Sequence, residues 1–161
     1  AEAARYYGQA AAQMEGDPSS AAMMITCYTA LGDVEGARRA AGMTLTRCEA
    51  ILAQDRGNGG AMGAGAVALA VLGEADRARE WIGRALVVDP DNMGMRYNLA
   101  CAVSAHLGDI DGALDLLGPF FTGTGNTFLL HAKIDPDLDR VRGAPRFKAM
   151  MAEAEARLAG S

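Results

Sequence analysis

The chain has 161 residues, of which half are hydrophobic and 22% are charged, and its formal net charge at pH 7 is −5. This composition predicts a soluble globular protein. It excludes disordered and membrane-spanning classes, because the longest apolar stretches are shorter than the roughly 20 residues that cross a bilayer. The acidic balance offers no basic surface to a phosphate backbone, so nucleic acid is not an expected partner.

Few residues are β-branched, alanine is abundant, and apolar positions recur every three or four residues, so the chain is predicted to be almost entirely helical. Residues 1–14 form the first predicted helix, and Asp17-Pro18 opens the next. Because the chain starts Ala-Glu-Ala-Ala without an initiator Met, we interpret it as a segment of a longer protein. Its three cysteines lie in apolar helical patterns without CxxC spacing, which predicts reduced core thiols and a cytoplasmic location.

Three similar stretches predict the turns between the following helices: "LGDVEGAR" from Leu31, "LGEADRAR" from Leu72 and "LGDIDGAL" from Leu107. In each, the glycine is predicted to end a helix in the left-handed conformation, and the acid that follows is predicted to cap the next helix. The glycines are Gly32, Gly73 and Gly108, and the acids are Asp33, Glu74 and Asp109. Four residues after each acid stands a small residue that allows close helix packing, namely Ala37, Ala78 or Ala113. Each stretch therefore predicts a tight helical hairpin.

The turn glycines are separated by 41 and 35 residues, which are intervals typical of stacked helix-pair repeats. The first pair is predicted to have a long second helix, from Val34 to about Gln54. The clearest copy starts at Gly59, and its marks are Ala66, Gly73, Ala78, Ala85 and Pro90. The next copy has its marks at Tyr97, Ala100, Cys101, Gly108, Ala113 and Leu117. After Phe121 the register is lost, and a helix over 126–134 and a last helix from Pro145 are predicted to cap the array.

On these marks, over roughly 130 residues, the chain resembles the tetratricopeptide repeat (TPR) family. The resemblance implies an all-α fold: a right-handed superhelix of antiparallel helix pairs with a C-terminal capping helix, forming a single domain over residues 1–161. Its parts would be a partial preceding repeat (1–16), three repeats (17–57, 58–92 and 93–122) and a degenerate repeat with the cap (123–161).

Three stretches resemble more narrowly the TPR region that lies C-terminal to class III adenylate/guanylate cyclase domains, and to some winged-helix regulators, in bacteria. They are "EWIGRALVVDPDN", "YNLACAVSAHLGDIDGALDLL" and "DPDLDRVRGAPRF". This resemblance implies a role in bacterial signalling.

In the TPR family the first helices of the pairs line a concave groove in which peptides commonly lie. When the family's groove positions are assigned to this sequence by register, the resemblance implies a groove of small, nearly uncharged residues. They are Ala22, Thr26, Thr29, Gly60, Gly63, Val67, Ala70, Met95, Asn98, Ala102 and His106. Only Asn98 matches the Lys, Asn and Arg positions with which some members clamp a peptide carboxylate, so that mode is not expected. One hypothesis is that Gly60 and Gly63 admit another backbone closely. The alternative is that a helix rich in glycine and alanine simply tolerates them.

No sequence pattern indicates a catalytic, phosphate-binding or metal-binding site. "GNGGAMGAGA" from Gly57 lacks the Gly-Lys-Ser/Thr of a phosphate loop, and the acids of "DPDLD" lack the glycine and glutamate of a calcium loop. His106 and His131 are predicted to lack a second ligand at helical spacing, and no Ser-His-Asp or Cys-His arrangement can be nominated. We therefore expect no catalytic residues, no metal and no cofactor, and no enzyme within this segment.

The sequence favours a non-catalytic module that binds a protein or peptide, or a second copy of itself. One alternative is a dimerising structural spacer for an attached catalytic or DNA-binding domain. Another is a sensor with a small-ligand pocket. No membrane insertion is expected. With an uncharged groove, partner binding should depend only weakly on salt.

Overall fold

The protein is all-helical. A computed structural model describes residues 2–160, in which helices make up 84% of the structure and no strand occurs. Backbone contacts divide the chain into two compact units, residues 1–90 and 91–161. Within residues 2–160, no helix combines the length and the apolarity that a membrane crossing requires.

The first unit contains five helices that pack against each other in chain order. They are α1 (Glu2–Gln13), α2 (Ser19–Ala30), α3 (Val34–Gln54), α4 (Gly59–Leu72) and α5 (Ala75–Val88). Each consecutive pair is in contact, and α2 also contacts α4. The predicted long helix is confirmed with both of its bounds, and α5 ends at Val88, with Asp89 as its C-cap directly before Pro90.

The three predicted turn glycines all adopt the left-handed conformation. Their φ angles are 69° at Gly32, 83° at Gly73 and 65° at Gly108, and no other glycine in residues 2–160 has a positive φ. A side chain with a Cβ would be strained there, which explains why the same residue recurs at each turn. The alanines at 37, 78, 85 and 113 are buried in the helices that follow.

All three predicted acids stand at the N-cap of the next helix, but only two of them make a cap hydrogen bond. Asp33 accepts a hydrogen bond from the Gly36 amide at 2.8 Å, and Asp109 accepts one from the Gly112 amide at 2.9 Å. Glu74 makes no such bond at the start of α5. Its longer side chain reaches the guanidinium of Arg77 at 2.6 Å instead, because this copy has an arginine where the other two have a glycine.

The indole of Trp81 on α5 lies directly over Gly65 of α4. A Cβ at Gly65 would overlap the ring, and it would also lie 3.4 Å from the Cβ of Cys48 on α3. Trp81 is only 9% exposed. Glycine is about 0.5–1 kcal/mol less favourable than alanine inside a helix, so this packing is what holds Gly65 there.

Arginine side chains fasten two helix ends of the first unit. The guanidinium of Arg47 on α3 donates to the carbonyl oxygens of Ala11 and Asp17, both at 2.8 Å. Arg38 donates to the carbonyl of Leu72 at 3.3 Å. The last carbonyls of a helix have no partner within the helix and attract positive charge, so the bonds to Ala11 near the end of α1 and to Leu72 at the end of α4 satisfy such groups.

The second unit is built from seven helical segments. They are α6 (Met93–Ala102), a π-helical turn (Val103–Leu107), α7 (Ile110–Gly123), α8 (Asn126–Ile134), a 3₁₀ turn (Pro136–Leu138), α9 (Asp139–Arg142) and α10 (Pro145–Ala159). Helix α6 packs on α7, and α10 packs on α7, α8 and α9. The predicted helices over 126–134 and from Pro145 are confirmed. The π-helical turn was not predicted.

Aromatic rings join the helices of the second unit. Phe120 of α7 stands at the centre, with ring centroids 4.8 Å from Tyr97 on α6, 5.4 Å from Phe121 and 6.3 Å from Phe128 on α8. Phe121 continues the contact to Phe147 of α10 at 5.8 Å. Tilted and edge-on ring pairs at these distances stabilise a core beyond the area that they bury.

A candidate pocket and a buried polar cluster in the second unit

The groove positions named from the sequence fall in both units and differ in exposure. Thr26, Thr29 and Gly60 are exposed in the first unit, and Asn98 and His106 are exposed in the second. Val67 is half-buried. The buried positions are Gly63, Met95 and Ala102. A partner can therefore reach only part of the named set directly, and a continuous groove through all of these positions stays a prediction.

A pocket of about 440 Å³ opens in the second unit beside Asn98. Met93, Gly94, Tyr97 and Asn98 of α6 form one wall, and Phe120, Phe128 and the 123–125 turn form the other. The local sequence explains the shape. Asn92 caps α6 through the Met95 amide at 2.9 Å, and the Gly-Thr-Gly turn that breaks α7 from α8 adds no large side chain to the wall.

The turn at the edge of this pocket is held by α10. Arg157 donates to the carbonyl oxygens of Thr124 at 2.6 Å and Phe121 at 3.3 Å, and so satisfies the end of α7. The Thr124 hydroxyl is buried and has no hydrogen-bond partner among the described residues. An unpaired buried hydroxyl is costly, and Thr124 is a pocket-wall residue whose hydroxyl is closed to solvent.

A buried polar cluster lies on the other side of Tyr97. The Tyr97 hydroxyl donates to Asp135 Oδ2 at 2.6 Å, and the Cys101 thiol lies 3.7 Å from the same oxygen. His131 Nε2 is 3.3 Å from it. Asp135 is 8% exposed, and its other carboxylate oxygen accepts from the Asp137 amide at 3.0 Å, which caps the 3₁₀ turn.

Burial controls the protonation of this cluster. Burial, and then the hydrogen bond with Asp135, raise the pKa of the Tyr97 phenol far above its usual range. Burial and the charge of Asp135 do the same to the pKa of the Cys101 thiol. Burial, followed by the charges of Asp135 and Asp139, raises the pKa of the Asp137 carboxyl. Because the thiolate is the reactive form, Cys101 is a poor nucleophile in this state.

The other two cysteines are also free thiols. Cys48 is fully buried, and burial, with a smaller contribution from the Glu49 charge, raises its pKa to about 11. Cys27 is half-buried. The predicted core position is thus confirmed for Cys48 and Cys101 and only in part for Cys27.

One sequence prediction about this region is wrong. His131 was predicted to have no second ligand at helical spacing, yet Asp135 stands four residues later and its carboxylate contacts the imidazole. The signal was in the sequence, because residues four apart meet on one face of a helix. The acids of "DPDLD" form a helix-initiating turn, with Asp135 as its cap.

No protein-family model matches the chain, and no curated protein has a matching sequence.

Proposed function

We propose that the chain is a non-catalytic interaction module, a TPR-like array of helix pairs that binds a protein or peptide. The support is the agreement between the repeat marks and the local structure. Left-handed glycines stand at the three corresponding turns, and helices begin and end where the repeat register requires. The right-handed superhelix and the concave groove belong to the proposal.

The three stretches that resemble cyclase-associated TPR regions support a place in a bacterial signalling protein in the cytoplasm. In this proposal the segment contributes binding or assembly, and any catalysis belongs to another domain.

The observation that carries the proposal is the pocket beside Asn98. Its volume lies in the range of about 300–1,000 Å³ that is typical of ligand sites, and its walls are mainly aromatic and apolar. Phe128 is 60% exposed at its edge, so a partner can contact this ring directly. A peptide that inserts one large apolar side chain fits this shape.

The polar groups at the pocket would fix the orientation of such a peptide. Asn98 is exposed and has both an amide donor and a carbonyl acceptor, which can pair with a peptide backbone. The Thr124 hydroxyl is a further donor and acceptor without a partner in the described residues. The pocket residues carry no charged side chain, so binding should depend weakly on salt.

The test is a selection of peptides against the immobilised chain, followed by affinity measurements on a matched pair of leucine variants. Gly94→Leu fills the pocket from α6, where a Cβ has its closest contact at 3.7 Å. Gly83→Leu places the same side chain at an exposed position of α5, where a Cβ meets nothing within 4 Å. Both variants replace a helical glycine, so both should fold.

We expect selected peptides to share a large apolar anchor residue. Their affinity should fall at least about tenfold in Gly94→Leu, which is 1.4 kcal/mol, and stay unchanged in Gly83→Leu. If the peptides bind both variants with equal affinity, the pocket is not the binding site. Strong loss of binding between low and moderate salt would contradict an uncharged site. Light scattering on the free chain shows whether a second copy, rather than a peptide, is the partner.

A further inference from the structure

Three potential metal ligands converge behind Tyr97. The Cys101 sulfur and one carboxylate oxygen each of Asp135 and Asp137 all lie within 4.8 Å of one another, and both Cys101 and Asp135 are buried. The Cys101 sulfur and Asp135 Oδ2 are 3.7 Å apart. Ligands at about 2.3 Å (sulfur) and 2.0 Å (oxygen) from a tetrahedral zinc ion stand about 3.5 Å from each other, so the spacing already matches a coordination site.

The cluster has too little positive charge to balance its carboxylates. The carboxylates of Asp135, which is buried, and Asp137, which is half-buried, lie close together, and the side chains that reach Asp135 are Tyr97, Cys101 and His131. Arg142 lies close by, but its guanidinium donates to the main-chain oxygen of Asp135 at 2.7 Å and to the Asp139 carboxylate. Buried charges are normally paired or coordinate a metal, and the only basic side chain that contacts the Asp135 carboxylate among the described residues is the imidazole of His131, which is 58% exposed.

A second observation points the same way. Ser104, three residues after Cys101, is fully buried, and its hydroxyl has no hydrogen-bond partner in the described part of the chain. The π-helical turn that carries Ser104 packs against the 3₁₀ turn that carries Asp137. π-helical turns are rare and are found frequently at functional sites. An unsatisfied hydroxyl in such a turn is a polar group that a bound ion and its water would satisfy.

We propose that Cys101, Asp135 and Asp137 bind one divalent transition-metal ion of the zinc class. The set of one thiolate and two carboxylates favours Zn²⁺ or Co²⁺ over Ca²⁺ and Mg²⁺, which take oxygen ligands alone. Three protein ligands leave a position for water, and His131 stands at the exposed side of Asp135, where an ion would enter. Coordination transfers the thiol proton of Cys101 to solvent. This site is independent of the peptide pocket, and either proposal can fail alone.

The test uses the full chain, reduced and treated with a chelator, and Co²⁺ alone as the probe. Thiolate coordination gives a near-ultraviolet charge-transfer band, and tetrahedral geometry gives intense visible absorption. We expect one Co²⁺ per chain with both signals, displaced by added Zn²⁺. Cys101→Ser should abolish the charge-transfer band, and Asp137→Asn should weaken the affinity at least about tenfold.

Matched variants control for adventitious binding. Cys27→Ser and Cys48→Ser each remove a thiol elsewhere, and Asp111→Asn removes an exposed carboxylate from the first turn of α7. All three should leave the titration unchanged. Absence of binding, or binding without the charge-transfer band, overturns the proposal. So does a band that survives Cys101→Ser or is lost in Cys27→Ser. Circular dichroism establishes that each variant is folded, and if Cys101→Ser is not, the affinity of Asp137→Asn decides.

Discussion

The two units use the same turns but different cores. In the first unit, small side chains let helices approach closely, so the indole of Trp81 rests on Gly65 and alanines fill the contacts around it. In the second unit, rings from α6, α7, α8 and α10 meet around Phe120, and a buried polar cluster lies behind Tyr97. Rings cannot fill space as alanines do, because they are rigid and prefer tilted contacts. The unit with the ring cluster contains the pocket beside Asn98 and the two buried hydroxyls, of Ser104 and Thr124, that lack a partner among the described residues.

The strongest test of this contrast is Phe120→Ala. Phe120 is 4% exposed and contacts three other rings, so the truncation leaves a cavity at the centre of the second unit. We expect a loss of about 3–5 kcal/mol in the free energy of unfolding. Hydrogen exchange, read separately from peptides of each unit, is the measurement. Exchange over residues 91–160 should rise sharply. If it does not, the ring cluster is not what stabilises the second unit.

The matching test in the first unit adds a methyl group. Gly65→Ala forces the Trp81 ring to move, because the new Cβ would overlap it, and overpacking a core costs about 1–3 kcal/mol. Trp81 is the only tryptophan in the chain, so its fluorescence follows both the shift and the unfolding midpoint. Gly83→Ala on the same helix as Trp81 is the control. It meets nothing within 4 Å and should stabilise by about 0.5–1 kcal/mol. If Gly65→Ala stabilises the protein instead, the packing of the indole does not depend on a glycine at this position.

Sequence reasoning succeeded where the cause was local. A turn glycine, a capping aspartate and a helix-breaking proline act within a few residues, so both bounds of α3 and α8, the end of α5 and the start of α10 could be predicted. The candidate site could not, because Tyr97 and Asp135 are 38 residues apart and meet only when the 3₁₀ turn folds back on α6. The contact between Trp81 and Gly65 could not be predicted either, because nothing in the local pattern shows that the indole covers this glycine.

The His131–Asp135 contact lies between these cases. Its spacing of four residues was visible in the sequence, but the carboxylate becomes buried only because Tyr97 and Cys101 approach from α6. Local spacing can therefore show that two groups meet, while burial, which decides their chemistry, depends on the tertiary fold.

The smallest expected effect concerns the aspartate-capped turns that both units contain. Asp33 in the first unit and Asp109 in the second cap their helices through the same bond, so Asp33→Ala and Asp109→Ala should each cost about 1 kcal/mol in the free energy of unfolding. Glu74→Ala removes only an exposed ion pair with Arg77 and should cost about 0.5 kcal/mol or less. Denaturant titration of the three variants measures the difference. Equal losses at all three positions would show that the acid stabilises these turns by its charge near the helix dipole rather than by the cap bond. If only one of the two aspartate variants loses stability, the two units differ in their turns as well as in their cores.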